Sequence, residues 1–192
     1  MRAIILVLLL ACFKISFAQT EHHLGVFVTD STWTKEILKF PLGFARDIPY
    51  EGYEDLRFHE GWAKKQSDGF WAYIFAWHVK GKQKTTSINL EVYMKMYYDG
   101  LAGVGSSKIP ESVMLFLKNN DSNLDSDFIG KMHFYDRFHT KKMIRLNTLV
   151  KSFYCKEKNT TTVVFRISPK ELDHDIWNIL NKVKLKPSVC EF

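Results

Sequence analysis

The chain has 192 residues, enough for one domain behind a leader, and carries 27 basic against 21 acidic side chains for a formal net charge of +6. Acids and bases interleave along the whole length, which excludes the contiguous basic stripe of a nucleic-acid footprint. No repeat, low-complexity tract or Pro/Gly/Ser linker interrupts it, so no internal domain boundary is expected.

Residues 1–18 read as a secretory signal. Arg2 supplies the positive start, Ala3 to Ala11 the apolar core, and Ser16 and Ala18 the small residues before a cut ahead of Gln19. Lys14 interrupts the apolar run short of the roughly 20 residues that cross a bilayer, so no membrane span is predicted. Leu9-Leu10-Ala11-Cys12 also resembles a lipoprotein box, which would instead place a lipid on Cys12. Either way the expectation is a secreted or periplasmic protein, with residues 19–192 forming a single globular α+β domain.

In chain order, Leu24 to Val28 and Thr34 to Phe40 read as short strands, the second ended by Pro41. Residues 41–69 carry turn chemistry around a strand from Tyr53 to Phe58. Phe70 to Val79 has the strongest alternation, with Trp71, Tyr73, Phe75 and Trp77 on one face and further apolar residues on the other. That pattern marks a central strand covered on both sides. A helix capped by Ser87 follows, with Leu90, Tyr93, Met94, Tyr97 and Leu101 at helical spacing, stopped by Gly100, Gly103 and Gly105. Val113 to Leu117, Phe128 to Tyr135, Met143 to Cys155 and Thr161 to Ile167 read as four strands. A last helix is predicted from Ser168 as N-cap, through Pro169, to a stripe of Leu172, Ile176, Ile179, Leu180 and Val183.

Four consecutive strands without crossovers imply antiparallel pairing. The predicted architecture is a curved, mostly antiparallel sheet of about six to seven strands with two main helices packed on one face. Cys155 and Cys190 form an even pair in an exported chain and are expected to make a disulfide that staples the C-terminus to the sheet.

Chemistry-bearing residues are few. Asp136 and His139 could meet across a turn after the strand ending at Tyr135, with His133 adding a third group and His59 in support. Aspartate opening a turn is equally a routine local cap. His22-His23 misses the spacing of a terminal chelate, and Asp173-His174-Asp175 sits where acids answer a helix dipole. The glycines at 100, 103 and 105 leave a helix rather than enter one and lack the lysine of a phosphate loop. The ladder Trp71, Tyr73, Phe75 and Trp77 either lines a cavity for an apolar or sugar-like ligand or packs under the first helix as core.

The sequence therefore points to an exported, non-enzymatic ligand-binding or interaction module, its partner a small apolar or sugar-like ligand or an envelope protein. No cofactor and no metal site is implied. The alternative is a hydrolase or metal-dependent enzyme built on Asp136, His139 and His133, which would need those side chains to converge in one cleft.

Overall fold

Alternating apolar residues become pleated faces, and these faces pair into one large antiparallel sheet. The computed structural model describes residues 25–105 and 108–190; the expected leader, Cys12 and the His22-His23 pair lie outside them. Nine strands are described: β1 (Phe27–Val28), β2 (Thr34–Lys39), β3 (Gly52–Phe58), β4 (Tyr73–Lys80), β5 (Val113–Lys118), β6 (Phe128–Tyr135), β7 (Met143–Cys155), β8 (Thr160–Ser168) and β9 (Lys184–Leu185). Seven of them form a sheet in the order β2-β3-β4-β8-β7-β6-β5, and β1 pairs with β9 in a small ribbon. Helix α1 (Ser87–Ala102) bridges β4 and β5, and α2 (Ile176–Lys182) follows β8. This is the α+β class and antiparallel sheet that the patterning implies.

The two faces carry different side chains. Tyr73, Phe75 and Trp77 of β4 point toward α1, which lays Leu90, Met94, Tyr97 and Tyr98 over them. Phe75 stacks between Tyr97 and Phe165, with ring centroids 5.6 and 4.4 Å away. Ala72, Ile74 and Ala76 face the other way. There α2 packs Ile176, Trp177 and Leu180 on Ala72 and Leu149, while Val183 and the β1–β9 ribbon cover Ile74 and Ala76. The helices thus lie on opposite faces, a correction to the expectation that both share one. The bulk of α1 and its aromatic bed already fills the first face, which leaves the small-residue face for the chain leaving β8.

Element ends follow local hydrogen bonds. Thr86, one residue before Ser87, caps α1: its side chain accepts from the Asn89 amide at 3.2 Å. Gly103, with φ 78°, closes the helix in the left-handed conformation. The second helix begins well after Ser168, because the intervening carbonyls are already taken. Trp177 Nε1 donates to the carbonyls of Lys170 (3.2 Å) and Glu171 (2.8 Å), and Asn147 Nδ2 donates to Lys170 as well (2.9 Å). Residues 169–175 therefore turn instead of coiling, and His174 Nδ1 accepts from the Ile176 amide at 3.1 Å.

Two fasteners hold the far face. Asp55, fully buried on β3, accepts from the amides of Val26 (2.6 Å) and Phe27 (3.3 Å) and pairs with Arg57. Cys155 at the end of β7 is disulfide-bonded to Cys190, with Cα atoms 5.5 Å apart, as expected of the two cysteines. Among the described residues no helix is long and apolar enough to cross a membrane.

Candidate ligand cavity

Strand register brings the floor of the site together. Leu56 and Phe58 of β3 lie opposite Phe75 and Tyr73, and Glu36 and Leu38 of β2 lie opposite Leu56 and Glu54. All of these residues belong to the face that α1 covers. At the β2–β3 corner the helix does not close onto the sheet, leaving a cavity of about 340 Å³ between this floor and Tyr97 and Leu101. That volume lies toward the small end of the ~300–1,000 Å³ typical of ligand pockets.

Loops supply the remaining wall. Residues 59–72, expected to enter the strand at Phe70, instead make successive turns, and Trp71 adopts φ 54°. That left-handed backbone is held by two bonds: the Trp71 amide donates to the Trp62 carbonyl (3.1 Å) and its indole Nε1 to Asp136 Oδ2 (3.2 Å). Trp62 and Trp71 therefore stand edge to face, centroids 5.4 Å apart, with Phe138 beside them. Phe44 closes the opposite side against Tyr97, with centroids 5.0 Å apart. It can approach because residue 100 is glycine; a Cβ there would overlap the Phe44 carbonyl oxygen. Gly100 thus lies inside α1 and serves close packing, while Gly103 provides the stop.

Exposure grades across the lining. Leu56, Trp71, Tyr73 and Tyr97 are buried, Leu38, Phe44, Phe58 and Trp62 are partly exposed, and Glu36 and Phe138 reach solvent. The site therefore has a deep aromatic end and a rim that carries one acid. A second acid, Glu54, is buried directly behind it. Trp77 Nε1 donates to its Oε1 at 3.3 Å, whereas Oε2 is buried with no hydrogen-bond partner among the described residues. Burial pushes the Glu54 carboxyl up to about 8, with Tyr97 and Trp77 acting against the rise and the charge of Glu36 adding to it. Burial, then neighbouring Glu54, likewise raises the Tyr97 phenol well above its ordinary range. Tyr73 and Tyr98 share a hydroxyl–hydroxyl hydrogen bond.

The aromatic ladder divides at this point. Trp71 and Tyr73 line the cavity, while Phe75 and Trp77 are sealed in the core beside it. The alternation showed the row; where α1 lifts off decides which rings face the cavity.

The polar cluster is built on backbone hydrogen bonds. Asp136 is fully buried, and its carboxylate accepts from the amides of Phe138 (2.9 Å), His139 (2.9 Å) and Thr140 (2.7 Å) besides the Trp71 indole. Burial alone would raise its pKa, but the bonds from His139, Thr140 and Trp71 outweigh burial and hold it below the ordinary value. It meets His139 through the backbone, and no hydrogen bond joins the imidazole to the carboxylate among the described residues. The ring packs on Trp62, centroids 4.5 Å apart, and desolvation disfavours its protonated form despite the pull of Asp136. His133 lies in a separate groove with Arg145 and Lys131. His59 accepts from the Gly61 amide at 3.0 Å and sits edge to face with Trp33. Among the described residues the one trio of His, Cys, Asp or Glu at ligand distance is Cys155, Glu157 and Cys190, and its two sulfurs are spent in the disulfide.

Sequence reading missed Glu36, Glu54, Phe44 and Trp62 as parts of one site. Glu54 offered a signal: a carboxylate at an inward position of a strand, between Tyr53 and Leu56, breaks the apolar pattern without a basic partner. Comparison of the chain with protein-family models, with curated proteins and with solved structures finds no match.

Proposed function

We propose that the chain is an exported, non-enzymatic module that binds a small, largely apolar ligand in the cavity between α1 and the β2–β3–β4 corner. One observation carries the reading: a concave, aromatic-lined space whose deep end is buried and whose rim is open. The leader sequence and the Cys155–Cys190 disulfide support export. Asp136 supports a positioning role, since it fixes the loop that carries Phe138 and the indole of Trp71.

The test uses the neutral fluorophore N-phenyl-1-naphthylamine. Saturable, one-to-one enhancement with the mature protein is expected, together with its loss in Leu38→Trp, which fills the cavity from its partly exposed rim. Non-saturable enhancement, or equal binding to Leu38→Trp, overturns the assignment. Mass spectrometry of protein recovered from the medium or periplasm is expected to find Gln19 at the N-terminus.

A further inference from the structure

The cavity's charge is one-sided. Among the described residues its single charged lining residue is Glu36, at the rim, and no lysine or arginine lines it. The basic residues of β2, Lys35 and Lys39, alternate to the opposite face from Glu36 and Leu38. Behind the wall lies Glu54, fully buried with one carboxyl oxygen that has no hydrogen-bond partner among the described residues, and the other ionisable groups described at the deep end are the hydroxyls of Tyr73, Tyr97 and Tyr98. His139, behind Trp62 and Trp71, is biased toward its neutral form by desolvation.

Three ligand chemistries can be weighed against this frame. A carboxylate or phosphate would face Glu36 and the negative faces of aromatic rings, with no lining cation among the described residues to receive it, and like charges at short range oppose binding. A sugar needs several convergent donors and acceptors, but Tyr73 is already bonded to Tyr98 and most of the lining is hydrocarbon. A cation gains on both counts. Aromatic faces attract it, Glu36 pairs with it, and the apolar body of the molecule fills the deep end.

We propose, building on the ligand-binding reading above, that the cavity selects small arylalkylamines: Glu36 receives the ammonium group at the rim, and Phe58, Trp62 and Tyr73 enclose the ring.

Tryptophan fluorescence titrations of the mature protein decide the matter with three ligands of matched shape: phenethylamine, neutral propylbenzene and anionic 3-phenylpropanoate. Phenethylamine is expected to bind at least tenfold more tightly than propylbenzene, and 3-phenylpropanoate most weakly. Glu36→Gln, at a solvent-exposed position of an edge strand, is expected to remove the tenfold preference, read as the ratio of phenethylamine to propylbenzene affinity in the same variant. Equal or tighter binding of either competitor, or a preference that survives Glu36→Gln, overturns the proposal. If N-phenyl-1-naphthylamine binds while phenethylamine holds no advantage, the cation inference alone fails. If neither the fluorophore nor any of the three ligands binds, the cavity assignment falls with it.

Discussion

Glu54 and Asp55 are neighbours on β3, both fully buried, and they solve opposite problems. Asp55 points to the α2 face, where Arg57 and two backbone amides satisfy it. Glu54 points to the α1 face, where one indole satisfies one oxygen and the other has no hydrogen-bond partner among the described residues. The first arrangement keeps a charge in the interior by pairing it; the second lets the group keep its proton instead. The lesson extends to whole faces: the α2 side is built to be fastened, and the α1 side retains an unfilled corner with unspent polar capacity.

The largest expected effect tests the fastened side. Asp55→Ala leaves Arg57 buried and unpaired and orphans the amides of Val26 and Phe27, so a loss of about 3–5 kcal/mol is expected in urea unfolding. A loss below about 1 kcal/mol would erase the contrast between the two acids. Replacing Cys155 with serine opens the link to Cys190, 35 residues along the chain, and is expected to cost about 3–4 kcal/mol without altering fluorophore binding on the other face.

The next expectation is a pH dependence. In the folded protein Glu54 holds its proton up to about 8, while the unfolded chain releases it near 4.5. Between those values the native state binds the extra proton, so stability falls as pH rises from about 4.5 to about 8, then levels. The slope from this group approaches about 1.4 kcal/mol per pH unit at most. Glu54→Gln is expected to flatten that stretch of the curve; an unchanged slope in the variant would show that another group titrates there. The smallest effect belongs to Gly100→Ala. A methyl at that position displaces the Phe44 backbone, and a cost of about 1–3 kcal/mol is expected along with weaker ligand binding, despite alanine's better helix propensity. A stabilised variant with intact binding would show that Phe44 is free to yield.

How far the sequence carried depends on whether a feature is local. β6 and β7 run from Phe128 to Tyr135 and from Met143 to Cys155, the very residues that alternation picks out, because a strand's period is written in consecutive positions. The last helix begins late because the Trp177 indole reaches back to Lys170 and Glu171, a tertiary contact that no capping pattern records. The central strand lost Phe70 to Ala72 for a related reason, since Trp71 is held in a turn by Asp136, 65 residues away. The cavity was the least legible part. Its lining comes from β2, the Phe44 segment, β3, the 59–72 turns, β4, α1 and the Asp136 loop, and only strand register and the lift of α1 bring these together. The aromatic row was visible in advance, but not the boundary between Tyr73, which meets the cavity, and Phe75, which does not.

The β4–β8 pairing has a kinetic consequence. β5 to β8 form a meander whose strands are sequence neighbours, and β2 to β4 form another, but residues 73–80 and 160–168 join the two only after α1 and β5 to β7 have intervened. Contacts that far apart in the chain close late, because the entropy of a long loop must be spent before they repay it. The two meanders are expected to assemble first and to zip along β4–β8 last, in which case fluorescence of the ring cluster over Phe75 and Phe165 reaches its native value only in the final phase of refolding.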